Sequence, residues 1–121
     1  MTRVMVADDD PDLVAICSMI LESEGYSVES ARNGNEAVDK LFADDVDVLL
    51  LDVMMPVLDG REMLRLMKND ESMKTIPIIM MSAAESFSLN GDGRLVPFLN
   101  KPFTLDDLLE IVEAAIGKAE P

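Results

Sequence analysis

At 121 residues, with 49% hydrophobic and 28% charged side chains, the chain is long enough for one well-packed domain and too short for two. Its 24 acidic against 10 basic residues leave a formal charge of -14, which excludes a free-standing nucleic-acid or anionic-membrane binder and points to metal cations and basic protein surfaces as partners. Histidine is absent and cysteine occurs once, at Cys17, so imidazole acid–base chemistry, histidine metal ligation and an internal disulfide are all excluded.

Short aliphatic runs alternate with stretches of helical period, the pattern of a βα repeat. Met1-Thr2-Arg3 leads straight into a first strand at 3–7 rather than into a signal-peptide core, and no run approaches the roughly 20 apolar residues of a membrane span. With the lone cysteine, this predicts a cytoplasmic protein. Leu13, Ile16, Cys17, Ile20 and Leu21 then mark the inner face of a helix that Asp10 caps, Pro11 opens and Gly25 ends in the left-handed conformation. On that face Cys17 reads as a buried structural thiol. The second strand, 26–30, alternates polar and apolar residues and belongs at a sheet edge.

A second helix at 34–43 turns Ala37, Val38, Leu41 and Phe42 inward; a third strand follows at 47–51. The third helix, 60–69, buries Met63, Leu64 and Met67, and further strands are expected at 76–81 and 96–99. The last helix, 105–117, carries a stripe of Leu105, Leu108, Leu109, Val112, Ala115 and Ile116, with Thr104 as its N-cap and Asp107 near the positive end of its dipole. Strands one, three and four are almost wholly apolar, as when helices cover both faces of a parallel sheet. The ten methionines read as core filler. No repeat or linker divides the chain, so 1–121 is expected to be a single domain with no output module, closing on a short tail.

Five polar residues lie at the ends of four apolar runs: Asp8 and Asp9 together, Asp52, Ser82 and Lys101. In an open doubly wound sheet, ligands bind outside the carboxyl ends of the strands. A five-stranded βα chain favours the order 2-1-3-4-5, which sets strands one and three side by side and makes Asp8, Asp9 and Asp52 neighbours. Three carboxylates in one crevice repel unless a cation is present, and Mg²⁺, which prefers oxygen ligands and often shares them with phosphate, suits the set. Lys101 supplies a positive charge for a phosphoryl oxygen and Ser82 a hydroxyl donor. Asp52, being central, is the expected nucleophile.

Val6-Ala7-Asp8-Asp9-Asp10-Pro11, Leu51-Asp52-Val53-Met54-Met55-Pro56 with Asp59-Gly60, Met81-Ser82-Ala83 and Phe98-Leu99-Asn100-Lys101-Pro102-Phe103 together resemble the receiver domain of bacterial two-component response regulators, over essentially the whole chain. The resemblance implies a flavodoxin-like α/β fold and a phosphoacceptor, Asp52, charged by a histidine kinase or histidine phosphotransfer protein. It implies Mg²⁺ held by Asp8, Asp9, Asp52 and the backbone carbonyl of Met54, with Lys101 on the phosphoryl oxygen. Ser82 and Phe98 match the family's switch pair, whose movement remodels contacts with a downstream protein. Such a domain is a signalling protein that catalyses only its own phosphorylation and dephosphorylation, and the Lys101-Pro102 bond is usually cis in it.

The chain departs from the pattern in the 13 residues 83–95, which must hold two loops and a helix and which contain Gly91 and Gly93. The helix between the fourth and fifth strands is therefore expected to be short, distorted or missing. This predicts that the protein does not dimerise through the family's usual face, built from that helix, the fifth strand and the last helix. Pro97 and Arg94-Leu95 also replace the small residues often found there. Met54 and Ala84 offer no polar side chain to orient an attacking water, so slow self-hydrolysis is expected. Alternative readings are a phosphorylation-independent interaction module with the same fold, a metal-dependent aspartyl phosphatase, and a flavodoxin. The complete set of acids and the lysine weighs against the first, Met54 in place of a second acid against the phosphatase, and the acidic first loop and scarce aromatics against the flavodoxin.

Overall fold

The computed structural model describes residues 2–43, 45–53, 60–82 and 97–119. Five parallel strands form one sheet: β1 (Arg3–Ala7), β2 (Ser27–Ala31), β3 (Val48–Asp52), β4 (Ile78–Ser82) and β5 (Phe98–Asn100). They lie in the order β2-β1-β3-β4-β5, with the alternating β2 at one edge as its sequence requires. Four helices are present among the described residues: α1 (Pro11–Ser23), α2 (Gly34–Ala43), α3 (Gly60–Lys68) and α4 (Leu105–Ala119). This is the flavodoxin-like doubly wound arrangement. The expected short or distorted helix between β4 and β5 falls on 83–95, outside the described residues.

The side-chain period of two sorts each central strand onto two cores. Met5, Leu49, Leu51 and Met80 pack with α2 and α3, through Ala37, Leu41, Met63 and Met67. Val4, Val6, Val48, Leu50, Ile79 and Met81 pack on the opposite face with α1 and α4, through Cys17, Leu21, Leu108 and Val112. Leu49, Leu50 and Leu51 are all fully buried, and each such side chain contributes on the order of 2 kcal/mol relative to exposure. With both faces covered, the functional surface is confined to the strand ends.

Local chemistry fixes the helix boundaries. Asp10 is the N-cap of α1, its carboxylate accepting from the Asp12 and Leu13 backbone N–H groups, and Pro11 occupies the first turn. At the other end Tyr26 N–H donates to the Leu21 carbonyl and Gly25 N–H to that of Glu22, the paired bonds of a Schellman ending. Gly25 makes this possible with φ of 92°. Asn33, which sequence reasoning did not single out, caps α2 by accepting from Glu36 N–H at 2.9 Å. Thr104 and Asp107 cap α4 reciprocally: Asp107 N–H donates to Thr104 Oγ1 at 3.1 Å, and Thr104 N–H to Asp107 Oδ2 at 3.2 Å.

Three apolar residues expected to face inward do not. Ile16 is 53% exposed, Phe42 61% and Leu105 51%. A helix turns about 100° per residue, so Ile16 and Phe42, each adjacent in sequence to a buried residue (Cys17 and Leu41), are swung toward solvent. Leu105 is in register with its stripe but is the first residue of α4, ahead of Leu108, the first buried position. Strands β2 to β5 begin one or two residues later than the sequence pattern suggested. Asp52 and Ser82 are therefore the last residues of their strands rather than the first beyond them.

Candidate functional site

Strand register brings the polar residues together. Ala7 pairs with Leu51, so Asp8 follows β1 beside Asp52. Asp52 pairs with Met81, and Ser82 with Asn100, which places Ser82 and Lys101 one step further along the same crevice. The backbone ladder continues past the pairing: Asp8 N–H donates to the Ala31 carbonyl at 3.0 Å, Val53 N–H to Met81 at 3.0 Å and Lys101 N–H to Ser82 at 2.8 Å. Asp8, Asp52, Ser82 and Lys101 are thereby mounted on hydrogen-bonded strand ends. The Lys101–Pro102 peptide is cis.

Asp8 is fully buried, while Asp52 and Ser82 are only 5% and 4% exposed. Asp8 Oδ1 accepts from Asp10 N–H at 2.9 Å and Oδ2 from the Lys101 ammonium at 2.6 Å. The same ammonium reaches Asp52 Oδ1 at 3.3 Å, so one cation bridges two buried carboxylates. Burial on its own would lower the Lys101 pKa. The hydrogen bond to Asp8 and the negative charges of Asp52 and Asp8 outweigh it, and the net shift is upward. Lys101 is a fixed positive charge at any physiological pH.

Asp9 is exposed, yet it offers a carboxylate oxygen that lies with one from Asp8 and one from Asp52 inside a 4.8 Å cluster. Trans oxygens on an ion with bonds of about 2.0–2.1 Å stand about 4 Å apart, close to that span. Three carboxylates against one ammonium leave two uncompensated negative charges. A hard, oxygen-seeking divalent cation fits this donor set in charge, ligand type and spacing. The expected Met54 carbonyl ligand lies outside the described residues.

Phe98 opens β5, is half-buried and packs against the core on the α2–α3 side. Cys17 was expected to be an inert core thiol, and it is fully buried. It also feels the crevice: burial first, then the Asp8 charge, push the thiol up to about 11, with Lys101 opposing. No sequence signal foretold that coupling, because α1 is brought under the crevice by the fold. The Asp10 backbone N–H that holds Asp8 was likewise invisible, since it depends on the turn into α1.

The family described as the response regulator receiver domain matches residues 4–113. Among curated relatives, the response regulator MprA of Mycobacterium avium is 37% identical over 122 residues, covering 98% of this chain and 53% of its own length. Its counterpart in Mycobacterium tuberculosis H37Rv is also 37% identical, with 52% of its length covered. The chain thus spans about half the length of these relatives. Among solved structures, a two-component response regulator from Clostridium difficile superposes with a TM-score of 0.89 at 26% identity and full coverage of both chains. The chemotaxis protein CheY4 of Vibrio cholerae superposes with a TM-score of 0.84 at 29% identity, covering 95% of this chain and 98% of that one. No helix among the described residues is long and apolar enough to cross a membrane. Sheet order, strand-end acids and the matched residues agree, and the chain belongs to the receiver-domain family of two-component response regulators.

Proposed function

We propose that Asp52 accepts a phosphoryl group from the phosphohistidine of a histidine kinase or histidine phosphotransfer protein, in a Mg²⁺-dependent reaction in the cytoplasm, and that the modified domain changes its contacts with a downstream protein. The observation that carries this reading is the Lys101 ammonium bridging Asp8 and Asp52, at 2.6 and 3.3 Å, with Ser82 on the adjoining strand end. Residues 1–121 act on this reading as one receiver domain.

An Asp52 carboxylate oxygen attacks the phosphorus. A P–O bond forms as the P–N bond breaks; the electron pair stays on the imidazole nitrogen, which takes a proton from water. Such transfer requires placement and charge neutralisation more than covalent help from the protein. Burial of Asp52 strips water from the nucleophile, and Lys101, already within reach of its carboxylate, balances charge on a phosphoryl oxygen. Mg²⁺, when bound, would be held by Asp8, Asp9 and Asp52 and would supply further positive charge toward the phosphoryl oxygens. The Ser82 hydroxyl donates to the phosphoryl group once it is attached, and Phe98 moves with it; the phosphoryl group must favour one arrangement of these two over the other for a signal to follow.

The test is intact-mass spectrometry after incubation with Mg²⁺ and a small acyl phosphate, run beside Asp52→Asn. One added phosphoryl group, absent from the variant and from samples with excess EDTA, is expected. A folded protein that binds Mg²⁺ without acquiring the group would overturn the reading in favour of a phosphorylation-independent interaction module.

A further inference from the structure

At the opposite end of the sheet, where β3 and β4 begin, the C-terminal end of α2 and the segments leading into these strands enclose a groove of about 540 Å³. Its floor is core: Leu41 and Val46 are 5% and 8% exposed, and Ile76 packs against the same cluster. Phe42 projects at its edge, 61% exposed, with Asp45 and Asp47 also exposed on the lining. No Lys or Arg is among the described residues that line it, and Asp47 Oδ2 accepts a hydrogen bond from the backbone N–H of the adjoining Arg3 at 2.8 Å. Lys74, next to the lining residue Thr75, is engaged by Glu71 at 2.9 Å, and Lys40 of α2 by Glu36 at 3.3 Å.

An exposed aromatic over an apolar floor, rimmed by carboxylates, selects its occupant by charge. A second copy of this chain, at a formal -14, would set like-charged rims against each other, and a nucleic acid or anionic bilayer would be repelled in the same way. What fits is a cationic polypeptide with an apolar anchor: aromatic and arginine side chains are the groups that dominate protein interfaces, and a guanidinium matches a carboxylate rim. We propose that this groove docks an arginine-bearing segment of a partner protein, one apolar side chain resting on Phe42 over the Leu41–Val46–Ile76 floor and the cation facing Asp45 and Asp47. The strands between this groove and the Asp52 crevice are five residues long, or about 17 Å. A partner held here leaves the crevice open, and binding does not depend on phosphorylation at Asp52.

The test uses the unphosphorylated chain and a short dye-labelled peptide with arginines flanking a phenylalanine, followed by fluorescence anisotropy and by amide shifts in ¹⁵N spectra. Saturable binding that weakens with salt, with shifts centred on 41–47 and 72–76, is expected. Phe42→Ala and, separately, Asp45→Lys should each weaken it by at least about ten-fold. Both positions are exposed, so the variants should remain folded, and their spectra check that. Leu66→Ala, which removes an exposed side chain on α3 away from the groove, should bind as the parent does. Absence of binding at millimolar peptide, equal binding of a peptide with glutamates in place of the arginines, shifts centred elsewhere, or indifference to Phe42→Ala would each overturn the proposal.

Discussion

Replacing Lys101 with methionine keeps most of the side-chain volume and deletes the ammonium that two buried carboxylates share. At an effective dielectric of about 20, unit charges 2.6 Å apart attract by about 6 kcal/mol, most of which offsets the desolvation of the pair. Removing one partner of a fully buried pair costs about 3–5 kcal/mol because the other charge is left uncompensated. The Lys101 side chain is 21% exposed, so some screening is already present, and Asp8 keeps its bond from Asp10 N–H. The expected loss for Lys101→Met in metal-free buffer is therefore about 2–3 kcal/mol, read as a lower urea midpoint at unchanged slope. The decisive comparison is a double-mutant cycle with Asp8→Asn, which keeps an acceptor for Asp10 N–H while removing the stranded charge. Lys101→Met/Asp8→Asn should be more stable than Lys101→Met alone by about 1–2 kcal/mol. Additive losses, or a Lys101→Met variant within about 0.5 kcal/mol of the parent, would refute the view that this ammonium neutralises the crevice.

Cys17, fully buried and with its thiol pushed up to about 11, should resist a disulfide reagent at pH 8 in the native protein and react promptly in urea. The folded value lies above the ordinary 9.0, so the folded state retains a proton that the unfolded state loses. The contribution to stability is intact below pH 9 and falls by about 1.4 kcal/mol per unit as pH rises toward 11, a loss that Cys17→Ala should lack. Asp70 shifts the other way: bonds from the Ser72 hydroxyl and backbone N–H hold its carboxyl below the usual 3.8. Its stabilisation is present above that value and lost as pH falls through the folded one, so parent and Asp70→Asn should differ at pH 7 and draw together in thermal scans as the buffer is made more acidic than the usual carboxylate range.

How far the sequence could be read depended on how local the determinant was. Caps and breakers are local, and Asp10, Pro11, Gly25 and Thr104 sit at the boundaries their chemistry implies. The apolar runs Val48–Leu51 and Ile78–Met81 place buried strands because burial on both faces leaves no alternation to misread. Strand order, and with it the meeting of Asp8, Asp9 and Asp52, followed from the βα pattern together with the receiver motifs. Ile16 and Phe42 were misassigned because counting apolar residues at helical spacing widens a stripe beyond the arc that contacts the sheet. An isolated hydrophobic residue about 100° from the buried face is indistinguishable from a core residue until the neighbouring layers are in place. The Asp10 N–H bond to Asp8 and the proximity of Cys17 to the crevice depend on how α1 leaves β1, which no single residue type announces.

The two ends of the sheet divide the labour along one physical line. At the carboxyl end, the polar groups are withdrawn from water: Asp8, Asp52 and Ser82 are all at most 5% exposed, and the two carboxylate charges are bridged by Lys101. Electrostatic interactions are strong there, and a small change in charge at Asp52 alters the balance among neighbours that cannot relax into solvent. At the amino end the acids Asp45 and Asp47 remain in water beside an uncovered aromatic, where charge guides an approaching chain and apolar contact holds it. Docking strength and phosphoryl chemistry can then be altered independently, because a substitution at Phe42 or Asp45 touches none of the crevice residues. Asp52→Asn should accordingly leave peptide binding at the amino end unchanged, and Phe42→Ala should leave acyl-phosphate labelling of Asp52 unchanged. A loss of labelling in folded Phe42→Ala would show that the two ends are coupled through the α2–β3 core, and this separation would fail.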